Sequence, residues 1–181
     1  MGMLFGSPLE FHSRREKGVL WISAAVAFFL LLLDQLSKLW IEHSFRLYES
    51  RPVIPGWLSL TSVRNHGAAW SMLSGHGWLL LLIAFAALAA ILWYFRSLTE
   101  GWCERYLAAF MVISGIFGNS IDRLWRGAVV DFIDVHYYEV WRYPVFNVAD
   151  IAICTGVGIF VLSSLLRPDL KKRRGNADED R

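Results

Sequence analysis

Four long apolar segments constrain the fold of this chain more than any other feature. A membrane-spanning α-helix needs roughly 20 mostly apolar residues, and four segments approach that length: about Gly18–Ile41, Gly77–Phe95, Tyr106–Ile121 and Val148–Leu166. The third is the weakest of them, because it is short and ends in polar residues. Only 19% of the 181 residues are charged and 55% are hydrophobic, whereas a soluble domain carries more charge. The sequence therefore predicts one membrane domain of four transmembrane helices over residues 18–166, with no room for a second, soluble domain.

The distribution of basic residues predicts the orientation of the helices. Lys and Arg near helix ends tend to lie on the cytoplasmic side, and they precede the first segment, separate the second from the third and follow the fourth. We therefore expect a multi-pass protein with both tails, residues 1–17 and 167–181, in the cytoplasm, and with outer loops at about 44–76 and 124–147. The outer loops also hold basic residues, so the bias is moderate. The first segment lacks a cleavage site for a signal peptide and is expected to remain as an anchor.

Two stretches of the outer loops have the pattern of β-strands. Trp57–Val63 alternates apolar and polar residues, and Val129–Val135 is rich in β-branched residues. Together they predict a small extracytoplasmic sheet resting on four helices, so the fold class is an all-α membrane protein with a small β element. An aromatic cluster follows the second stretch and suits either an aromatic belt at the lipid headgroups or a lid over a site; its members are Tyr137, Tyr138, Trp141 and Tyr143.

Two acids stand where the chain should meet the outer membrane face. Asp131 interrupts an apolar run, and Asp150 opens the last apolar segment. Carboxylates at membrane depth are expensive to hold, so they are functional candidates, and two that converge could share a proton and activate water. For Asp150 there is a structural alternative, because Asn147 three residues earlier would complete a capping box. Asp134 is expected to point to the opposite face of a strand from Asp131.

The same reasoning predicts how the two acids would share a proton. Two close carboxylates cannot both ionise cheaply. The helix N-terminus favours the charged form of Asp150, so Asp131 is expected to hold the proton in the free protein. Activity should then fall at both extremes of pH.

Further polar residues occur at helical spacing. Asp34 and Lys38 are four residues apart, which predicts an ion pair. The pair either lets the polar end of the first helix lie at membrane depth or orients catalytic groups. Asn119, Asp122 and Arg123 are placed to share one helix face, where structural bracing is favoured over substrate binding. Arg123 could hold a substrate oxygen or simply fix Asp122.

Other chemistries have weaker support in the sequence. Ser71 or Ser74 with Lys38 could perform Ser-Lys proteolysis, although neither serine lies in a recognisable nucleophile motif. A non-enzymatic scaffold or small transporter, whose acids brace helices or bind ions, is a further alternative. Cys103 and Cys154 are not expected to pair. No metal site is predicted, because the five His are scattered.

Five motifs in order carry a resemblance to a known family. They are Asp34–Lys38, Asn65–Ser71, Gly118–Arg123, Val129–Phe132 and Phe146–Asp150. The chain resembles the lipoprotein signal peptidases (type II signal peptidases), which are aspartic peptidases of the bacterial inner membrane. The resemblance extends over the apolar body from about residue 30 to residue 162.

The resemblance implies roles for individual residues. Asp131 and Asp150 would be the catalytic dyad. The supporting or substrate-binding residues would be Asp34, Lys38, Asn65, Asn119, Arg123 and Asn147. The small residues Gly67 and Ala68 would let a substrate backbone approach closely.

The resemblance also implies a substrate, an inhibitor and a location. The substrate would be a prolipoprotein carrying a diacylglyceryl group on its future N-terminal Cys, cleaved just before that Cys. Globomycin-type cyclic peptides would inhibit the enzyme, which would need no cofactor. The fold would be four helices with an extracytoplasmic β-cradle and a mobile outer segment, in contact with membrane lipid and with the active site near the periplasmic face. The basic run Lys171–Arg174 is interpreted as a topology anchor, and no nucleic-acid partner is expected.

Overall fold

The computed structural model describes residues 14–67, 72–73 and 75–167. Within these ranges the chain forms five helices and four strands. In chain order they are α1 (Arg14–Ser44), β1 (Ser50–Ile54), β2 (Leu58–Asn65), α2 (Gly77–Trp93), α3 (Phe95–Thr99), α4 (Cys103–Trp125), β3 (Val129–Tyr137), β4 (Trp141–Arg142) and α5 (Val148–Leu166).

Three of the described helices, α1, α4 and α5, are long and apolar enough to cross a membrane. The apolar helix α2 has 17 residues and is shorter than these three. The prediction of four spans is therefore supported for three helices, and the shorter α2 does not confirm the fourth. The third segment is longer than predicted, because α4 has 23 residues and continues through the polar stretch around Asn119, but it is the least apolar of the three spanning helices. That stretch stays helical because Asn119 and Asp122 have hydrogen-bond and ionic partners inside the protein.

Glycines bring α4 into close contact with α5. A Cβ atom on Gly115 would overlap the carbonyl oxygen of Ala149, and one on Gly156 would lie 2.7 Å from that of Ala108. Small residues at such crossings let helix backbones approach closely. As a result, the polar end of α4 lies directly against the N-terminus of α5.

The four strands form one antiparallel sheet in the order β1-β2-β3-β4. Both predicted strands are present, as β2 and β3. Val130 and Phe132 of β3 pack with Ile41 and Phe45 in a buried cluster that joins the sheet to the end of α1. Because side chains alternate along a strand, Asp131 between them faces the other way.

Asp134 lies away from the other acids, as the alternation predicts. The Thr61 hydroxyl donates to its Oδ2 at 2.7 Å, and Arg142 Nε lies 3.4 Å from its Oδ1. The two cysteines are free, in agreement with the expectation that they do not pair.

Candidate active site

A cavity of about 550 Å³ lies between α2, α4, α5 and the sheet. Its polar lining includes both candidate acids, Asp131 and Asp150, together with Asn65, Asn119 and Arg123. The apolar lining comes mainly from helices, with Leu80, Ile83, Ala84 and Ala87 of α2, Ile116 of α4 and Ile153 of α5. Polar groups are thus gathered on part of the wall of an otherwise apolar space, as is common for ligand sites.

Asp131 is buried, and each of its carboxyl oxygens accepts a hydrogen bond from an asparagine amide. Asn65 Nδ2 donates to Oδ2 at 2.9 Å, and Asn147 Nδ2 donates to Oδ1 at 2.6 Å. The orientation of the Asn65 amide is fixed, because its own oxygen accepts from the backbone N–H of Gly67 at 2.9 Å. The strand β2 therefore supplies a preset donor to the acid on β3.

Asp150 lies in the first turn of α5 and also accepts two hydrogen bonds. Its Oδ2 accepts from the backbone N–H of Asn147 at 3.1 Å, and its own backbone N–H donates to Asn147 Oδ1 at 3.0 Å. This is the predicted capping box. Asn119 Nδ2 of α4 donates to the second oxygen, Oδ1, at 2.8 Å. The capping role therefore leaves one oxygen of Asp150 for contacts within the cavity.

Asn147 connects the two acids. Its Oδ1 accepts a hydrogen bond from the backbone N–H of Asp150, which fixes the orientation of the amide. Its Nδ2 must therefore be the donor to Asp131. The same Nδ2 lies 3.2 Å from Asn119 Oδ1. Three asparagines from β2, α4 and the start of α5 thus hold both carboxyl groups in one connected hydrogen-bond network.

Burial and the nearby charge of Asp150 raise the pKa of Asp131 from 3.8 to about 7. The hydrogen bonds from Asn65 and Asn147 and the positive charge of Lys38 act in the opposite direction and are outweighed. A carboxyl group that titrates near neutral pH beside a second acid is suited to general acid–base chemistry.

The predicted ion pair between Asp34 and Lys38 is present, and a third residue joins it. Lys38 Nζ lies 2.8 Å from Asp34 Oδ2 and 2.9 Å from Asp122 Oδ2. It also donates to Asn119 Oδ1 at 3.2 Å. The three charged side chains are essentially fully buried.

Asp122 and Arg123 contact different partners, although their spacing predicted that they share one helix face. Arg123 donates from Nη2 to the carbonyl of Gly67 at 3.0 Å and lines the cavity. Asp122 instead pairs with Lys38, and its Oδ1 lies 2.7 Å from Arg126 Nη1. Arg123 therefore fixes the backbone at Gly67, whereas Asp122 forms ion pairs with Lys38 and Arg126.

The sequence reasoning assigned no role to Arg126 or Glu42, and no partner to Gln35 of the first motif. Arg126 contacts Glu42 Oε2 at 2.7 Å and donates to Gln35 Oε1 at 3.1 Å. The spacing of Asp122 and Arg126, four residues apart at a helix end, was a signal that could have revealed the first of these contacts.

Some predicted residues lie outside the described residues, namely Ala68, Ser71 and Ser74. Among residues 14–67, 72–73 and 75–167, no group of three or more His, Cys, Asp or Glu side chains is placed to hold a metal ion.

The spanning helices and the acid-lined cavity define a multi-pass membrane protein with an enzyme-like site. Two solved bacterial membrane enzymes, determined by the in meso method, share this fold. The chain matches the one at 2.3 Å resolution with a TM-score of 0.74 and 34% identity, over 80% of this chain and 87% of that one. It matches the one at 1.9 Å with a TM-score of 0.71 and 34% identity, over 82% and 94% of the two chains.

Sequence comparisons identify the family. Residues 26–166 match the family described as signal peptidase (SPase) II. A lipoprotein signal peptidase of Histophilus somni is 42% identical over 161 residues, covering 87% of this chain and 94% of the relative. One of Shewanella piezotolerans is 42% identical over 167 residues, covering 88% and 95%. The chain belongs to the signal peptidase II family and is a membrane-embedded peptidase.

Proposed function

We propose that this protein is an aspartic endopeptidase that removes the signal peptide from diacylglyceryl-modified prolipoproteins by cleaving just before the lipidated Cys. Asp131 and Asp150 would be the catalytic dyad. The observation that carries the proposal is that three asparagine side chains donate hydrogen bonds to two acids that line the same cavity. The pKa of one of these acids, Asp131, is raised to about 7. The lipoprotein signal peptidases that this chain resembles over most of their length support the substrate class.

In the proposed mechanism, the ionised acid activates water and the neutral acid stabilises the oxygen of the scissile carbonyl. Asp150, at the N-terminus of α5, takes a proton from water as the water attacks the carbonyl carbon. Asp131 donates a hydrogen bond to the carbonyl oxygen, and a proton passes to the departing amine as the C–N bond breaks. The pair titrates jointly, so these roles describe the dominant protonation state of the dyad.

The supporting residues act by position. Asn65, Asn119 and Asn147 orient the two carboxyl groups without adding net charge. Arg123 holds the carbonyl of Gly67 at the cavity edge, which would give an extended substrate a fixed wall beside Asp131. By the same proposal Ala68, which follows Gly67 in the sequence, lets the substrate backbone approach closely.

We further propose that α2 is the fourth span and that both termini are cytoplasmic in a bacterial inner membrane. The apolar part of the cavity, between α2, α4 and α5, would then receive the lipidated end of the substrate from the bilayer. The sheet would lie on the periplasmic side as a β-cradle, with a mobile outer segment closing over the site. Globomycin-type cyclic peptides would compete for the same cavity.

A gel-shift cleavage assay in detergent with a diacylglyceryl-modified prolipoprotein tests the dyad. Wild type is compared with Asp131→Asn and Asp150→Asn, and with Asp134→Asn as the matched control on β3. Each dyad variant should lose activity by a factor on the order of 10² to 10⁴, whereas the control should retain it. A folded Asp131→Asn or Asp150→Asn protein that cleaves at nearly the wild-type rate would remove the dyad from the mechanism.

The Ser-Lys alternative is disfavoured by the environment of Lys38. Its ammonium is fully buried and its three N–H donors all have partners, including two carboxylates, so it is not available as a base. A protein carrying both Ser71→Ala and Ser74→Ala should therefore still cleave. Loss of cleavage in that folded double variant would revive the alternative.

A further inference from the structure

We propose that Asp34, Lys38 and Asp122 form a clamp that sets the spacing of Asp131 and Asp150 by holding the backbone immediately before each of them. The three clamp residues would be positioning residues and not catalytic ones. The inference rests on the proposed function, because it assigns them a role in the same reaction.

The two clamp carboxylates accept from equivalent backbone positions. Asp34 Oδ1 accepts from the N–H of Ala149 at 2.9 Å, and Ala149 directly precedes Asp150. Asp122 Oδ2 accepts from the N–H of Val130 at 3.1 Å, and Val130 directly precedes Asp131. Each catalytic acid is thus attached through one peptide unit to a fixed carboxylate. Hydrogen bonds between a carboxylate and a backbone N–H are charge-assisted and among the stronger ones in proteins.

Lys38 joins the two halves of the clamp. It bridges Asp34 and Asp122 at 2.8 and 2.9 Å, so the attachment points of the two acids share one ammonium group. Its third donor goes to Asn119 Oδ1 at 3.2 Å. An ammonium group has three donors and no acceptor, so the Asn119 amide cannot turn its NH₂ toward Lys38. The NH₂ therefore faces Asp150, to which it donates.

The helix packing is adapted to this contact. A Cβ atom on Gly118 of α4 would lie 2.6 Å from Asp34 Oδ2 and 3.1 Å from the Cβ of Ala149. The glycine therefore leaves room for Asp34 between α4 and the start of α5. A simple ion pair that made the end of α1 tolerable would need neither this space nor the two backbone N–H contacts.

Burial makes the clamp rigid. Asp34, Lys38 and Asp122 have relative exposures of 1%, 0% and 0%. In such an environment, removing one partner leaves an uncompensated charge, and the remaining groups must rearrange. Because near-attack geometry is sensitive to displacements of about 1 Å, a rearranged clamp should lower turnover by up to about 100-fold.

The test compares two isosteric changes in the same charged network, Asp122→Asn and Glu42→Gln. Asp122 contacts Lys38 and the Val130 N–H, whereas Glu42 contacts Arg126 but is one ion pair further from the dyad. With equal amounts of folded protein, Asp122→Asn should lower kcat by about 10- to 100-fold with little change in KM. Glu42→Gln should leave kcat within about 3-fold of wild type, whatever its effect on thermal stability.

The pH profile of kcat gives a readout that a purely structural role would not change. The charged groups facing Asp131 are Asp150 of α5, Lys38 of α1 and Arg123 of α4, while β2 contributes the uncharged Asn65. A loosened clamp lets the acids separate, which weakens the repulsion that keeps Asp131 protonated. The basic limb of the Asp122→Asn profile should therefore move to lower pH, and that of Glu42→Gln should not.

Wild-type kcat and pH profile in a folded Asp122→Asn protein would overturn the clamp, and so would equal changes in both variants. If Asp122→Asn does not fold, the clamp is tested by hydrogen exchange of the wild-type protein. The backbone amides of Val130 and Ala149 should both be strongly protected, because each donates to a clamp carboxylate. Rapid exchange at either amide would refute the proposal. These failures differ from failure of the proposed function, in which Asp131→Asn itself would remain active.

Discussion

The raised pKa of Asp131 makes a prediction about stability that is independent of any assay of cleavage. Burial, followed by the charge of Asp150, raises this pKa from 3.8 to about 7 in the folded protein. The folded state therefore binds the proton more tightly than the unfolded state does. The stabilisation from that proton is complete below about pH 4 and is lost as the pH rises through about 7. The free energy of unfolding should accordingly fall with rising pH across this window.

The size of the effect follows from the same two values. The difference between 3.8 and about 7 corresponds to about 4 kcal/mol between the two protonation states. Asp131 is 2% exposed, so little of this is screened by solvent. For a chain of this length, about 4 kcal/mol changes the unfolding midpoint by on the order of 10 °C. Asp131→Asn removes the titrating group and should remove this contribution.

The measurement is the apparent unfolding midpoint in detergent at several pH values between 4 and 9. Wild type should lose on the order of 10 °C between pH 4 and 8 relative to Asp131→Asn, and the variant should be the more stable protein at pH 8. Glu139→Gln, which removes an exposed carboxyl group from the turn after β3, controls for loss of one negative charge. Parallel pH curves for wild type and Asp131→Asn would refute the reasoning, as would a wild-type protein that gains stability up to pH 8.

Three further predictions concern the site and the helix packing. Asn65→Asp keeps the acceptor for the Gly67 N–H but replaces the donor to Asp131 with a negative charge. The basic limb of the pH profile of kcat should therefore move to higher pH, and an unchanged limb or one at lower pH would contradict this prediction. Gly115→Ala should destabilise the protein by about 1–3 kcal/mol, because the added Cβ would overlap a backbone carbonyl. In the control Gly158→Ala, the added Cβ meets no atom within 4 Å and should be tolerated. Equal thermal unfolding midpoints of the two variants would exclude close packing at Gly115. A chelator such as EDTA should leave cleavage unaffected, and loss of activity restored by a divalent ion would disprove this.

The apolar segments and the alternating strands could be predicted because their signals are local. The fourth segment coincides with α5 at Val148–Leu166, and the predicted strands became β2 and β3. The capping box and the pair of Asp34 with Lys38 were predictable for the same reason, since their partners are three or four residues apart.

The missed features depend on contacts between elements far apart in the chain. Nothing local to Asp122 indicates that it accepts from Val130 or shares Lys38 with Asp34. The two-residue strand β4 is too short for a periodic pattern. The true length of α4 was underestimated because its polar end looks unfavourable for a membrane helix until the partners of Asn119 and Asp122 are known.

The proposed sharing of a proton explains why the described hydrogen-bond donors to Asp131 and Asp150 are amides. A cationic donor on each acid would stabilise both ionised forms, and the shared proton would be lost. Asparagines provide the same directional N–H donors at no net charge, and burial can then keep the pKa of Asp131 near neutrality. The buried lysine donates to Asn119 instead of to Asp131 or Asp150, and two carboxylates compensate its charge. In the proposed mechanism, strong ionic contacts one layer away fix the geometry, while the two acids themselves exchange a proton.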